Sequence, residues 1–357
     1  MIRNGIQFLF GFLLLYQASF SQTDESIQQN FTIPFFSDSV TLIAAGDLFL
    51  GASAEHVIQS CGIHAPFDSL RSFIQKADIT VANLEAPFAE SGEGEPYPKQ
   101  YNFKVTPYIA EGLVSAGFDV LTLANNHMMD YGEPALRSTI QVLDSLRLLH
   151  CGAGLTFEDA YRPARLSRNG LKFGFLAYSL TYPDSFWAAP GRGGTAFPQS
   201  ARMKRQICEL KASVDFVIVS FHWGGEKLSK PKDYQQRYAH QAIDAGADVI
   251  IGHHPHVVQG VEVYKNKLIA YSLGNFVFGS YSPYATGALL KIKFHPNKSI
   301  DAQILPINVN NYQVQFQPRL LRHNEREQMI QHINTISQYL NHGEPPLDST
   351  GFVHLLN

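Results

Sequence analysis

The sequence predicts an α/β domain built on a largely parallel sheet, and three observations carry that expectation. Short apolar runs rich in β-branched residues recur along the chain, each ending abruptly in polar side chains. Segments with helical apolar spacing lie between them, and strand alternating with helix is the pattern of a parallel sheet. The composition also allows a large buried core, with 357 residues, 45% hydrophobic and 17% charged.

At the N-terminus, Met1-Ile-Arg-Asn precedes an apolar run from Ile6 to Tyr16, with small residues at Ser19 and Ser21. A basic start, a short apolar stretch and small residues are the marks of a secretory signal peptide. The run falls short of the ~20 residues a spanning helix needs. We therefore expect a signal peptide over 1–21, a polar linker over 22–37 and a single domain over 38–357. The expected location is secreted, periplasmic or cell-envelope, with membrane association only if the N-terminal segment is retained. No cysteine follows the run, so lipidation is not expected there.

From Val40 the strand pattern begins. Val40-Thr-Leu-Ile-Ala-Ala45 leads into Gly46-Asp47, and Ala77-Asp-Ile-Thr-Val-Ala82 into Asn83-Leu-Glu85. Residues 88–104 form a long polar loop leaving that second strand end, a position that often carries substrate contacts. Phe118 to Ala124 leads into Asn125-Asn-His127. A helix follows over 133–149, with Pro134 in its first turn and Leu136, Ile140, Leu143 and Leu146 on one face. Asp215 to Phe221 leads into His222-Trp-Gly-Gly-Glu226, and a helix over 232–245 is ended by Gly246.

Ala247 to Ile251 then leads into Gly252-His-His-Pro-His256, where three of the chain's 14 histidines fall together. Gly252 is expected to break the strand and let the backbone pass close to a ligand. Pro255 stiffens the turn. Leu268 to Leu273 leads into Gly274-Asn275, and strand-like stretches over 288–294 and 300–309 precede a terminal helix over 324–341. In a parallel sheet the strand carboxyl ends share one edge, where ligands bind, so these polar ends should converge on one site.

The converging set is Asp47, Glu85, Asn126, His127, His222, His254 and His256. Carboxylates, an amide and imidazoles without thiolate suit Mn, Fe, Zn or Mg rather than a structural zinc site. Cys61, Cys151 and Cys208 show no ligand spacing, and their odd number excludes a fully paired disulfide framework. The ligands suffice for two divalent ions bridged by one carboxylate, a device for hydrolysing phosphoesters. His127 is the candidate proton donor to the leaving oxygen. His253, Glu226, Asn275, Asn125 and Lys104 are candidates for surrounding or substrate contacts. A net charge of -3 offers no electrostatic case for nucleic acid as a partner.

These motifs carry a resemblance. Gly46-Asp47, Asn83-Leu-Glu85, Ala124-Asn-Asn-His-Met-Met-Asp-Tyr-Gly132, His222-Trp-Gly224, Gly252-His-His-Pro-His256 and Ser272-Leu-Gly-Asn-Phe276 together resemble the CapA family of bacterial capsule-synthesis proteins linked to poly-γ-glutamate. The likeness runs in order from about Val40 to Phe278. That family resembles the calcineurin-like metallophosphatases, which implies a four-layer α/β/β/α sandwich and a two-metal site. It implies Asn126 as a metal ligand, His127 as the catalytic histidine, Glu85 as the bridging carboxylate, and His254 and His256 as the terminal ligand pair. His253 then takes an ordinary position. The superfamily's first motif is Asp-x-His, whereas position 49 is Phe. The implied function is metal-dependent phosphoester hydrolysis in the synthesis of a capsule or cell-surface polymer. An anionic polymer or phosphorylated precursor would be the substrate, and capsule-synthesis proteins the partners. The competing reading is a non-catalytic polymer-binding or scaffold component of a capsule machine.

Overall fold

The computed structural model describes residues 39–281 and 286–355. The expected signal peptide and linker lie outside them.

Two sheets form the body. The first runs in the order Arg319–Leu320, Ile300–Asn308, Thr286–Phe294, Val40–Phe49, Ile79–Leu84, Val120–Thr122 and Leu149–Cys151. Its strands from Val40–Phe49 to Leu149–Cys151 are parallel, and the other three are antiparallel. Asn275–Phe278 also pairs in parallel with the end of Val40–Phe49, placing Asn275 beside Asp47. The second sheet runs Val261–Tyr264, Lys267–Ala270, Val249–His253, Phe216–His222, Leu171–Ser179 and Ala164–Arg168, parallel at its centre and antiparallel at both edges.

Side-chain alternation along the strands assigns the layers. Leu42, Ala44, Val81 and Val120 of the first sheet meet Phe173, Phe175, Ile218 and Ile251 of the second in a shared core. The alternate residues Ile43, Ala45, Ala82 and Leu121 face outward onto Ile58, Leu113, Leu136 and Leu143 of three helices. On the far side, Val217, Val219 and Ile250 pack against Met203 and Ile207 of the helix Ser200–Lys211 and Ala239 and Ala242 of Asp233–Asp244. The result is an α/β/β/α sandwich, the architecture the resemblance implied. Each large side chain buried here contributes about 1.5–3 kcal/mol.

The single parallel sheet read from the residues is thus corrected to two mixed sheets. Strands covered on both faces look alike in sequence, and apolar periodicity does not record which strand pairs with which. Leu171–Ser179 ends in no candidate ligand and was absent from the expected series, yet it lies beside the His222 strand. The first long helix spans Gly132–Ser145 rather than reaching Leu149, because Leu149–Cys151 must lie beside Val120–Thr122. The terminal helix is His323–Ser337, followed by a single turn. Among the described residues, no helix is long and apolar enough to cross a membrane.

Candidate metal centre

The polar strand ends do meet, but they come from both sheets. Asp47, Glu85, Asn126, His127 and Asn275 are carried by the first, and His222 and His253 to His256 by the second. Two glycines allow the backbones to approach. A Cβ at Gly46 would collide with the Gly274 carbonyl oxygen, which accepts the Asp47 amide at 2.9 Å. A Cβ at Gly252 would strike the Tyr271 carbonyl. Contrary to the sequence expectation, Gly252 does not end its strand, which continues to His253 in register with His222. Its missing side chain serves a neighbouring strand rather than a ligand.

Beyond His253 the chain turns sharply, with His254 at φ 94 and His256 at φ 57. Left-handed conformations in residues other than glycine cost of order 1–3 kcal/mol and cluster at functional sites. Here the turn sends His254 and His256 to different halves of the cluster. Ligand atoms of Glu85, His222 and His254 lie within 4.8 Å of one another, and so do those of Asp47, Glu85 and His256. Glu85 belongs to both groups.

In the first half, His222 Nε2 lies 2.7 Å from Asn126 Oδ1 and 3.6 Å from Glu85 Oε1. In the second, His256 Nδ1 lies 2.9 Å from Asn275 Oδ1 and 3.2 Å from Asp47 Oδ2, which leaves Nε2 facing Glu85 Oε1 at 3.7 Å. An imidazole tied at one nitrogen and aimed with the other is the usual posture of a metal-binding histidine. His253, expected to be ordinary, is buried with Nδ1 at 3.2 Å from Asp47 Oδ1.

Burial governs the protonation states. It would push Asp47 upward, but His253 and His256 hold this carboxyl well below the usual range. Glu85 has no such partner; burial, then the Asp47 charge, raises it well above that range. Burial, then the neighbouring histidines, lowers His222 strongly and His254 to about 3. For His256 burial is outweighed by Asp47, and its pKa rises.

A buried carboxyl group and the neutral imidazoles of His222 and His254 suit a divalent cation. Glu85 Oε1 and His254 Nδ1 are buried without a hydrogen-bond partner. Such groups are expensive to leave unmet. A cation between Glu85, His222 and His254 would satisfy both, and the nitrogen and oxygen donor set fits the same ions as the sequence reading.

His127 lies beside these groups. Its Nδ1 is 2.7 Å from Asp130 Oδ2, and its ring stacks on Phe103 with centroids 3.8 Å apart. Lys99 bonds Asp130 Oδ1 at 2.5 Å and the Asn126 carbonyl at 2.6 Å. Burial lowers the His127 pKa against the pull of Asp130. Asn125 is a bracket rather than a substrate contact: it donates to Leu84 O and Asn83 Oδ1 and accepts the amides of His127 and Met128. Glu226 is exposed and lines an adjoining cleft, acting on Glu85 only through its charge. Lys104 reaches the Glu90 carbonyl and the Tyr131 ring, not the cluster. Lys99 is the lysine of this loop that reaches the cluster, through Asp130 and the Asn126 carbonyl.

Sequence reasoning missed Asn83, Lys99, Phe103 and Asp130. Asn83 donates to Asp47 Oδ1 at 2.9 Å and Glu85 Oε2 at 3.4 Å, orienting both carboxylates. Asp130, three residues after His127 in a tight turn, was open to detection by that spacing. Lys99 and Phe103 are set by how the 88–104 loop folds back, for which the sequence carries no signal. Phe49, at the position where the resemblance implied a histidine, is stacked 4.2 Å from Phe103.

The chain is similar to several known proteins. The family model described as bacterial capsule synthesis protein PGA_cap matches residues 41–280. The chain is 30% identical over 278 residues to the PGA biosynthesis protein CapA of Bacillus subtilis, covering 77% of this chain and 73% of that one. It is 29% identical over 280 residues to the capsule biosynthesis protein CapA of Bacillus anthracis, covering 76% and 68%. Among solved structures it is similar to the calcineurin-like phosphoesterase YfkN of Bacillus subtilis, with 15% identity, TM-score 0.46, and coverage of 85% and 99%.

Proposed function

The chain belongs to the bacterial capsule synthesis protein family, and from that premise we propose that it is a metal-dependent phosphoester hydrolase of the cell envelope. Its substrate would be a phosphoester on a cell-surface polymer or on a precursor of one, and capsule-synthesis proteins would be its partners. The observation that carries the proposal is Glu85, a fully buried carboxylate shared by two histidine-containing groups and lacking a partner at Oε1.

Asp47, Glu85 and His256 would hold one divalent ion, and Glu85, Asn126, His222 and His254 the other. Such ions supply Lewis acidity at a phosphoryl oxygen and acidify water to near neutral pH. Asn83 keeps the two carboxylates in register through its single amide nitrogen. Asp130 fixes the His127 ring at Nδ1, so Nε2 is the nitrogen left to pass a proton to the leaving oxygen. Lys99 in turn holds the other oxygen of Asp130. Stacking on Phe103 keeps the ring from rotating.

Phe49 favours a second reading, a non-catalytic polymer-binding component whose metal site is structural. One experiment separates the two: elemental analysis of the purified protein, alongside Mn-dependent hydrolysis of an aryl phosphodiester and monoester. We expect metal-dependent turnover, with His127→Ala lowering kcat about 10²–10⁴-fold while bound metal is unchanged. A His127→Ala, His222→Ala double variant that keeps full activity would sink the hydrolase reading.

A further inference from the structure

A cleft of about 760 Å³ opens from the metal centre, with Asn126 and His254 among its lining residues. That volume is of the size that holds small ligands. One wall comes from the segment after Leu171–Ser179. Tyr182 is 76% exposed, its ring lies 5.7 Å from Trp187, and Trp187 packs 4.2 Å from Phe197. The indole is braced, because Nε1 donates to the Thr181 carbonyl at 3.1 Å and Arg192 donates to the Trp187 carbonyl at 2.8 Å. Glu226 and Lys232 line the same cleft, and Lys232 makes no ion pair among the described residues.

An exposed tyrosine ring backed by a half-buried tryptophan, in one cleft with a carboxylate and an ammonium, fits a ring with an apolar face and a hydrogen-bonding edge. A saccharide has both, since its hydroxyls can donate to a carboxylate and accept from an ammonium. A nucleobase would want amides or backbone groups in its plane. The oxygen of the Asn126 amide already meets His222 Nε2, and the backbone of Gly224 in the same cleft is taken up by the Tyr234 hydroxyl.

We propose that this cleft is the subsite for the sugar of a sugar phosphate ester. The ring lies on the Tyr182 and Trp187 wall, the hydroxyls meet Glu226 and Lys232, and the phosphate points toward Asn126 and His254. The position of the phosphate rests on the hydrolase reading above; the sugar wall does not.

The test is calorimetric titration of the full Mn-loaded protein with glucose 1-phosphate, glycerol 1-phosphate and adenosine monophosphate, with turnover of each followed in parallel. Glucose 1-phosphate should bind about tenfold tighter than glycerol 1-phosphate. That ratio should fall to near one in Tyr182→Ala and Trp187→Ala and persist in Trp187→Phe. The exposure of Tyr182 makes the first variant safe for the fold. Trp187 fluorescence gives a second readout, since the chain's other tryptophan, Trp223, is fully buried. Equal affinities in the native protein overturn the subsite. Tightest binding of the nucleotide, lost in Trp187→Ala, overturns the sugar in favour of a base. A sugar preference without turnover refutes the hydrolase reading and leaves the subsite standing. Turnover without preference does the reverse.

Discussion

The two halves of the metal centre share Glu85 yet solve the problem of buried charge differently. Around Asp47 the carboxylate is satisfied: it accepts from Asn83 and the His254 amide and faces two imidazoles at 3.2 Å, although His253 Nδ1 itself makes no hydrogen bond. Around His222 and His254 it does not, for His254 Nδ1 and Glu85 Oε1 are buried without partners. Removing one partner from a buried charged pair strands the other, whereas a pair complete in itself tolerates burial. The Asp47 carboxylate can therefore stand without a cation, whereas Glu85 and His254 call for one. The position where the Asp47 half would gain another ligand is taken by Phe49, packed on Phe103.

The comparison breaks most completely at the shared residue. Glu85→Ala should empty both halves, so that bound metal falls below one ion per chain and turnover drops to the metal-free blank. Elemental analysis and the phosphodiester assay read both. Retention of one ion would show that the halves are independent, and the bridging role would fall.

A gain of function sharpens it next. Phe49→His restores the Asp-x-His pattern and should tighten the weaker of the two ions by about tenfold or more, the scale on which even outer-shell changes act. Competition against a chelator measures it. Unchanged affinity would mean that the aromatic stack, not the ligand count, limits the Asp47 half.

Acid gives the smallest effect, and its sign follows from the two halves. His222 and His254 titrate below their ordinary 6.5, His254 at about 3. Between about 3 and 6.5 the unfolded chain binds protons there that the folded chain refuses, so stability falls as pH drops below 6.5. His256 has the opposite sign, because its raised pKa contributes stability below 6.5 that is lost as pH climbs through the folded value. Glu85, raised by burial, shares the sign of His256, and His127, lowered by burial, that of His222; three lowered imidazoles against two raised groups predict that the chelator-treated protein loses Tm from pH 6.5 to 5. His222→Ala with His254→Ala should flatten that slope, and an unchanged slope would assign it to other groups.

Much of the site was legible because ligands at strand ends leave a local mark. Asp47 after Gly46, Glu85 after Asn83-Leu84, and the histidines after Ile251 each follow a run of β-branched residues. Such a run announces both the strand and its end. Lys99, Phe103 and Phe49 left none, since an ammonium and two phenyl rings are ordinary in any loop or core. Lys104 was the lysine expected near the site, and nothing in residues 88–104 says that the loop turns Lys99 inward.

Taken alone, the sequence determined the α/β class, most of the core strands and the chemistry of the donor set. Those properties depend on residue type and on periods of two and 3.6 along the chain. The tertiary structure decided that two sheets, not one, carry the ligands, that His253 faces Asp47, and that Lys99 reaches Asp130. Each is a meeting of residues far apart in the chain, and such meetings are set by strand pairing and loop closure, which leave no periodic trace in the sequence.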